Sequence, residues 1–333
     1  MTAALRAELV ADAAALAALE AQWWGLWERC PSATPFRSPA WLLPWWSVFA
    51  PGPLRTVAVW RGAALAALAP LYLEEASRRL LPLGIGISDD LDALAEPGRE
   101  AEAGTAILGA LARRADWDEL SLEELPPGAA ALLWPAPEGW PDEAAVQSLC
   151  PVLGWDEAAT DIASVVPARK LRKLRMARHR AARRGAVIEV ADEATAPDHL
   201  ETLFRLHAAR WASRGEPGVL ADTSVQAFHR NAVPRLAARG LLHATLLRIE
   251  GRVAGVFHGL RRGPAIYAYL GGLDPDFGFE SPGTVLTGHA LDELMRGGAG
   301  VLSLLRGQEP YKYEWGAVDR PNLRRALRRN PPR

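Results

Sequence analysis

Two glycine turns constrain the second half of this chain more tightly than any other feature. Glu250-Gly251 and Arg262-Gly263 separate three runs, residues 241–249, 253–260 and 265–271, that read as strands. Gaps this short join only neighbouring antiparallel strands, so the three runs form one meander. Ahead of them, residues 186–191 alternate with β-branched side chains and predict another strand. Residues 198–213 carry Leu200, Leu203, Phe204, His207 and Trp211 at three- and four-residue steps, the period of an amphipathic helix. Asp222 caps a second helix that Gly240 stops near residue 239. Behind the meander come a helix opened by Ser281 and closed by Gly297-Gly298, and then a strand over 301–305.

The first half repeats this order more faintly. Strand 5–10, helices 11–29 and 39–49, strands 54–60, 64–73 and 79–83, helix 102–114 and strand 119–122 follow in turn. The expected fold class is α/β (α+β): two tandem lobes, each a mixed, largely antiparallel sheet flanked by helices. The expected boundaries are 1–160, 161–320 and a basic tail 321–333, with disorder from residue 324.

Composition fits a soluble globular pair of lobes. The 333 residues carry a formal net charge of −1, which commits the whole molecule to neither DNA nor membrane. Cys30 and Cys150 stand far apart and outside any ligand spacing, which suits a reducing cytoplasm and argues against a zinc site. No basic region precedes an apolar core at the N-terminus, so no signal peptide is expected, and the apolar stretch 63–73 is too short to span a bilayer. Trp23, Trp24, Trp27, Trp41, Trp45 and Trp46 cluster at helical spacing. Core or interlobe packing is the commoner reading of such rings, and a docking patch is the other.

The richest chemistry lies between residues 270 and 316. Ser281 suits an N-cap, Pro282 the first helical position, and Gly283 puts no side chain in front of the backbone. The next N–H groups, with Thr284, lack partners inside the helix and sit at the positive end of its dipole. A phosphate can bind there without any charged side chain. The corresponding first-half connection carries Ser88-Asp89-Asp90-Leu91-Asp92, whose charge repels a pyrophosphate.

The order of elements resembles the GNAT acyltransferase fold. There the helix after the third hairpin strand presents its N-terminus to the pyrophosphate of acyl-coenzyme A, and the acyl arm passes between two splayed strands. Here that place falls between residues 265–271 and 301–305, with Gly271 beside it. Five motifs occur in sequence: Phe36-Arg37-Ser38-Pro39-Ala40-Trp41, Ser88-Asp89-Asp90-Leu91-Asp92, Leu206-His207-Ala208-Ala209-Arg210-Trp211, Ser281-Pro282-Gly283 and Glu309-Pro310-Tyr311-Lys312. Together they make the chain similar to the CelD-like acetyltransferases, a bacterial branch of the double-GNAT superfamily that also holds the Fem peptidyltransferases. Ser303 departs from the pattern, which carries an aspartate before Leu-Arg-Gly; a hydroxyl cannot act as a carboxylate base.

The resemblance implies acetyl-CoA or another acyl-CoA as co-substrate and no metal. Tyr311, Lys312 and Glu309 are the catalytic candidates: a phenol to protonate a thiolate, an ammonium for an anionic intermediate, and a carboxylate to deprotonate an amine. The Fem-type reaction channel carries a lysine at the place of Lys312. Plainer readings are a packed tyrosine with a snorkelling lysine, and a salt bridge from Glu309 to Arg306. Asp89, Asp90, His207, Arg210, Trp211 and Arg306 are candidates to hold the acceptor in an interlobe cleft. His258 reads as a satisfied core histidine. The run from Arg169 to Arg184 reads as a helix with a thin apolar stripe through Leu171, Leu174, Ala177 and Ala181. It is either solvated or a grip on phosphates.

The expected function is acyl transfer in the cytoplasm to an amine or hydroxyl of a small molecule or cell-envelope precursor. One alternative is Fem-like transfer from aminoacyl-tRNA; another is a non-catalytic binding protein on the same fold.

Overall fold

A computed structural model describes residues 4–212, 215 and 218–329. The chain divides into two compact units, Met1–Ser148 with Arg320–Arg333 and Leu149–Asp319. In chain order come β1 (Leu5–Val10), α1 (Ala13–Ala18), α2 (Glu20–Arg29), α3 (Pro39–Phe49), β2 (Thr56–Arg61), β3 (Ala64–Ala69), β4 (Leu71–Glu74), β5 (Arg79–Pro82), β6 (Leu94–Ala95), α4 (Glu100–Ala112), β7 (Glu119–Leu125) and β8 (Asp142–Trp155). There follow α5 (Ala168–Arg183), β9 (Val187–Val190), α6 (Ala196–Ala212), α7 (Thr223–Ala238), β10 (Leu242–Ile249), β11 (Arg252–Arg262), β12 (Ala265–Leu273), α8 (Pro282–Met295), β13 (Gly300–Ser303), α9 (Pro310–Tyr313) and β14 (Val318–Arg328).

In the first unit, β1, β2, β3 and β6 form an antiparallel sheet. β5 pairs antiparallel with β4 and parallel with β7, and β14 pairs antiparallel with β7. Pro70 divides the single strand expected at 64–73 into β3 and β4, because proline has no N–H to give a ladder. Leu19 likewise divides the helix expected at 11–29. The tryptophan cluster is core: Trp23, Trp24, Trp27, Trp41 and Trp45 are buried. Three of these indoles are satisfied locally, Trp23 donating to the Arg37 carbonyl, Trp27 to the Thr34 carbonyl and Trp41 to the Ser88 hydroxyl.

The basic tail needs correction. Residues 318–328 form a strand, and its arginines are paired: Arg324 and Arg328 with Glu119, Arg325 with Asp142. Residues 330–333 lie outside the described residues.

In the second unit, β9, β10, β11 and β12 pair antiparallel in succession. β13 joins β12 parallel and accepts Val152–Trp155 of β8 antiparallel on its other side. α8 buries Val285, Leu286, Ala290, Leu291 and Leu294 in the core of this unit. Each large aliphatic side chain so placed contributes roughly 1.5–3 kcal/mol. Gly255 on β11 sets where α8 begins, because a Cβ there would stand 2.8 Å from Pro282. Gly272 on β12 allows close backbone approach: its Cβ would meet Leu206 of α6 at 2.7 Å. α5 lies along α8, and its stripe of Leu171, Leu174, Ala177 and Ala181 is buried as the spacing predicts. Gly288 of α8 makes room for Leu174.

Candidate functional site

The start of α8 opens onto a cleft of about 380 Å³ lined by Lys170, Lys173, Met176, Arg180, Ser281, Thr284 and Glu314. Ser281 occupies the cap position with a left-handed backbone, φ +53°. That conformation carries its hydroxyl away from the helix, so the expected side-chain cap is not made; Oγ lies 3.4 Å from the Gly278 carbonyl. The Ser281 carbonyl instead accepts from the N–H groups of Thr284 and Val285, at 2.9 and 3.2 Å. Pro282 has no N–H, and Gly283 follows it in the first turn. A Cβ at Gly283 would lie 3.4 Å from Leu273, so it would face that side chain.

The basic helix supplies the opposite wall. Lys170, Lys173 and Arg180 set three cations against one carboxylate, Glu314, in the cleft lining. Glu314 is shared by Lys170 at 3.2 Å and Lys173 at 2.8 Å, and those bonds hold its carboxyl below the usual range. Lys170 is buried, with its ammonium 4.4 Å from the Trp315 ring; burial pulls its pKa down. Arg180 donates to the Phe279 carbonyl at 3.0 Å and covers the Phe279 ring at 4.1 Å. Charge density marks this helix in the sequence, while Leu174 against Gly288 and Arg178 paired with Asp292 tell which residues face α8.

β12 and β13 diverge beside this site. They pair through Ala265–Val301, Ile266–Leu302 and Tyr267–Ser303, after which β13 ends while β12 runs on to Leu273. Opposite Tyr269 the register with β11 slips by one residue, which puts a bulge in β12 there. The chain leaves β13 through Leu305 at φ +57°, and the Leu304 N–H turns to the Pro151 carbonyl. Ser303 is buried, with its hydroxyl 3.4 Å from the Leu305 N–H.

The three catalytic candidates lie together but differ in setting. Lys312 is buried, and its ammonium donates to the carbonyls of Leu305, Arg306 and Gly307 at 3.3, 2.6 and 3.1 Å. Its fourth neighbour is the Glu309 carboxylate at 3.0 Å. Tyr311 is 52% exposed.

The acceptor candidates fall in both units. Asp90 is buried in the first unit, 2.5 Å from Arg37 and 3.6 Å from Arg320. Asp92 receives the N–H groups of Ala93, Ala130 and Ala131 besides Arg37. The Asp89 carbonyl accepts from Asn322, whose amide also donates to Glu124. In the second unit, Trp211 donates to His207 Nε2 at 2.8 Å, and Gly218 packs against both rings. The Arg210 side chain and Ser213 lie outside the described residues. His258 is not a satisfied core histidine: it is buried with neither ring nitrogen hydrogen-bonded.

Among the described residues, no group of three or more His, Cys, Asp or Glu is arranged to hold a metal, and no helix is long and apolar enough to cross a membrane.

Residues 168–313 match the family model described as an acetyltransferase (GNAT) domain. No curated protein sequence matches the chain. Among solved structures, FemX superposes with a TM-score of 0.66 at 11% identity, over 92% of this chain and 95% of that one. L-PGS from Bacillus licheniformis gives 0.60 at 12%, over 94% and 92%. A tandem GNAT protein from the clavulanic acid biosynthesis pathway gives 0.51 at 18%, over 98% and 100%. At such identities the likeness is one of fold, and the chain is two tandem GNAT-like lobes.

Proposed function

We propose that this chain is an acyltransferase whose second unit takes an acyl group from acyl-coenzyme A and passes it to an amine or hydroxyl acceptor. The carrying observation is the start of α8, opening onto a cleft with three cations against one carboxylate. A diphosphate there gains from the helix dipole and from the net positive charge of the cleft lining. The acyl arm then lies along β12 beyond Tyr267, where β13 has diverged.

In this reading the acceptor's lone pair attacks the thioester carbonyl carbon. A C–N or C–O bond forms, the C–S bond breaks, and the proton lost by the acceptor ends on the departing thiolate. Glu309 takes that proton, Tyr311 supplies one to the sulfur, and transfer from the Glu309 carboxyl back to the Tyr311 phenolate closes the balance. Lys312 is a positioning residue, since its ammonium holds the carbonyls of residues 305–307. Ser303 takes no part.

A second reading, transfer from an aminoacyl-nucleic acid carrier, is favoured by Arg169, Arg172, Arg175 and Arg183, exposed along α5.

Calorimetry with acetyl-CoA tests the donor site. Thr284→Asp puts a carboxylate in the first turn of α8, which favours the helix but fills the place of a phosphate. Donor affinity is expected to fall at least tenfold with the thermal midpoint unchanged. Unchanged affinity removes the donor site from this cleft, and a parent protein that binds tRNA but not acetyl-CoA selects the second reading.

A further inference from the structure

We infer that the cleft between α5 and α8 also reads the nucleotide end of its carrier, with a purine base on Phe279 and a phosphate separate from the diphosphate held between Arg180 and Lys173. This rests on the donor reading but extends it. A helix start needs only the diphosphate, whereas the side chains here call for more.

Three observations converge. Lys173 and Arg180 are seven residues apart on α5 and line one cleft, so their attachment points stand about 10 Å apart along the helix axis. One diphosphate at the start of α8 does not need cations spread over that length; a ribose carrying its own phosphate does. Phe279, two residues before Ser281, is 67% exposed and has Arg180 4.1 Å over its ring. Arg180 ties this exposed ring to the cleft that it lines, and such a ring is a stacking platform for a base, strengthened by the guanidinium. Met176 adds a polarizable thioether, 49% exposed, to the same lining. The volume of about 380 Å³ suits a mononucleotide-sized group.

Equilibrium binding to the full chain tests this with coenzyme A, 3′-dephospho-coenzyme A, 4′-phosphopantetheine and adenosine 3′,5′-bisphosphate. The bisphosphate is expected to bind by itself, without arm or thioester. Removing the 3′-phosphate is expected to weaken coenzyme A about tenfold or more, and Phe279→Ala likewise, the scale of one base stacked on an aromatic ring. Arg180→Met, which keeps the stem, is expected to weaken coenzyme A and the bisphosphate together while sparing phosphopantetheine. Both side chains are solvent-accessible, and an unchanged thermal midpoint verifies folding.

If Thr284→Asp abolishes coenzyme A binding while Phe279→Ala and Arg180→Met leave it unchanged, the nucleotide subsite is overturned and the donor reading survives. If the bisphosphate binds with the expected sensitivity but no acyl-CoA is turned over or bound, the subsite survives and the donor reading falls. Nanomolar, steeply salt-dependent binding of tRNA without binding of either small nucleotide overturns both.

Discussion

His199 of α6 stacks on His258 of β11, with ring centroids 5.6 Å apart, and no nitrogen of either ring has a hydrogen-bond partner. His229 of α7 meets His258 edge-on at 6.3 Å. Two helices and the meander are thus joined by imidazoles in place of apolar rings.

Such a cluster must stay neutral to stay folded. Burial pulls His199 down to about 4 and His229 to about 3, and it holds His258 well below the ordinary value. The unfolded chain, titrating near 6.5, takes up protons that the folded form refuses. Stability is therefore complete above about pH 6.5 and falls as pH drops, by about 1.4 kcal/mol per pH unit for each such histidine. The urea midpoint is expected to decline from pH 6.5 to 4.5, and the decline to be shallower in His258→Phe. Equal slopes in parent and variant would argue that the cluster is not kept neutral.

Lys312 and Tyr311 are neighbours with opposite predicted responses. Lys312→Met leaves the carbonyls of residues 305–307 without their shared donor, so a loss of about 3 kcal/mol in urea unfolding is expected. Tyr311→Phe keeps the ring of a half-exposed residue and is expected to change stability by less than about 0.5 kcal/mol. Its effect belongs to turnover, about a hundredfold once an acceptor is supplied, with donor affinity unchanged. A Lys312→Met protein as stable as the parent would contradict the positioning role.

Gly255 predicts how firmly the donor site is seated. A Cβ there approaches Pro282 at 2.8 Å and Leu286 at 3.3 Å, so Gly255→Ala must displace the first turn of α8. Acetyl-CoA affinity is expected to fall at least tenfold. Gly263→Ala, with open space around its Cβ but φ +52°, is expected to cost about 1 kcal/mol of stability and no affinity. Loss of affinity in both variants would mean that general destabilisation accounts for it.

Local signals account for what the sequence reveals. Glu250-Gly251, Arg262-Gly263 and Ser281-Pro282-Gly283 act within a few residues, so the meander and the helix after it are legible directly. β14 is hidden because Arg324, Arg325 and Arg328 look like a solvated tail until Glu119 and Asp142, far away in sequence, pair with them. β8 escapes notice because its first residues are exposed and it contains Pro151, a residue that argues against a strand in sequence. The α5 wall is visible as charge but not as position. The partners of Lys312 are backbone carbonyls, which leave no trace in residue identity.

Asp90 decides between a binding role and a structural one in the first unit. A carboxylate that recognises an acceptor must be reachable, yet Asp90 is 1% exposed and stands 2.5 Å from the equally buried Arg37. The Arg37 guanidinium also reaches Asp92, whose oxygens already accept three backbone N–H groups. Removing Asp90 therefore leaves Arg37 with one counter-charge in a site without water access. Breaking a buried pair from one side typically costs about 3–5 kcal/mol, because the surviving charge keeps its desolvation penalty. Asp90→Ala is expected to lower stability by about that amount. Acceptor KM, measured at a temperature where the variant is folded, is expected to stay within about twofold, well short of the tenfold that 1.4 kcal/mol of lost recognition produces. A stable Asp90→Ala protein with a KM raised tenfold would reverse the assignment and make Asp90 an acceptor ligand.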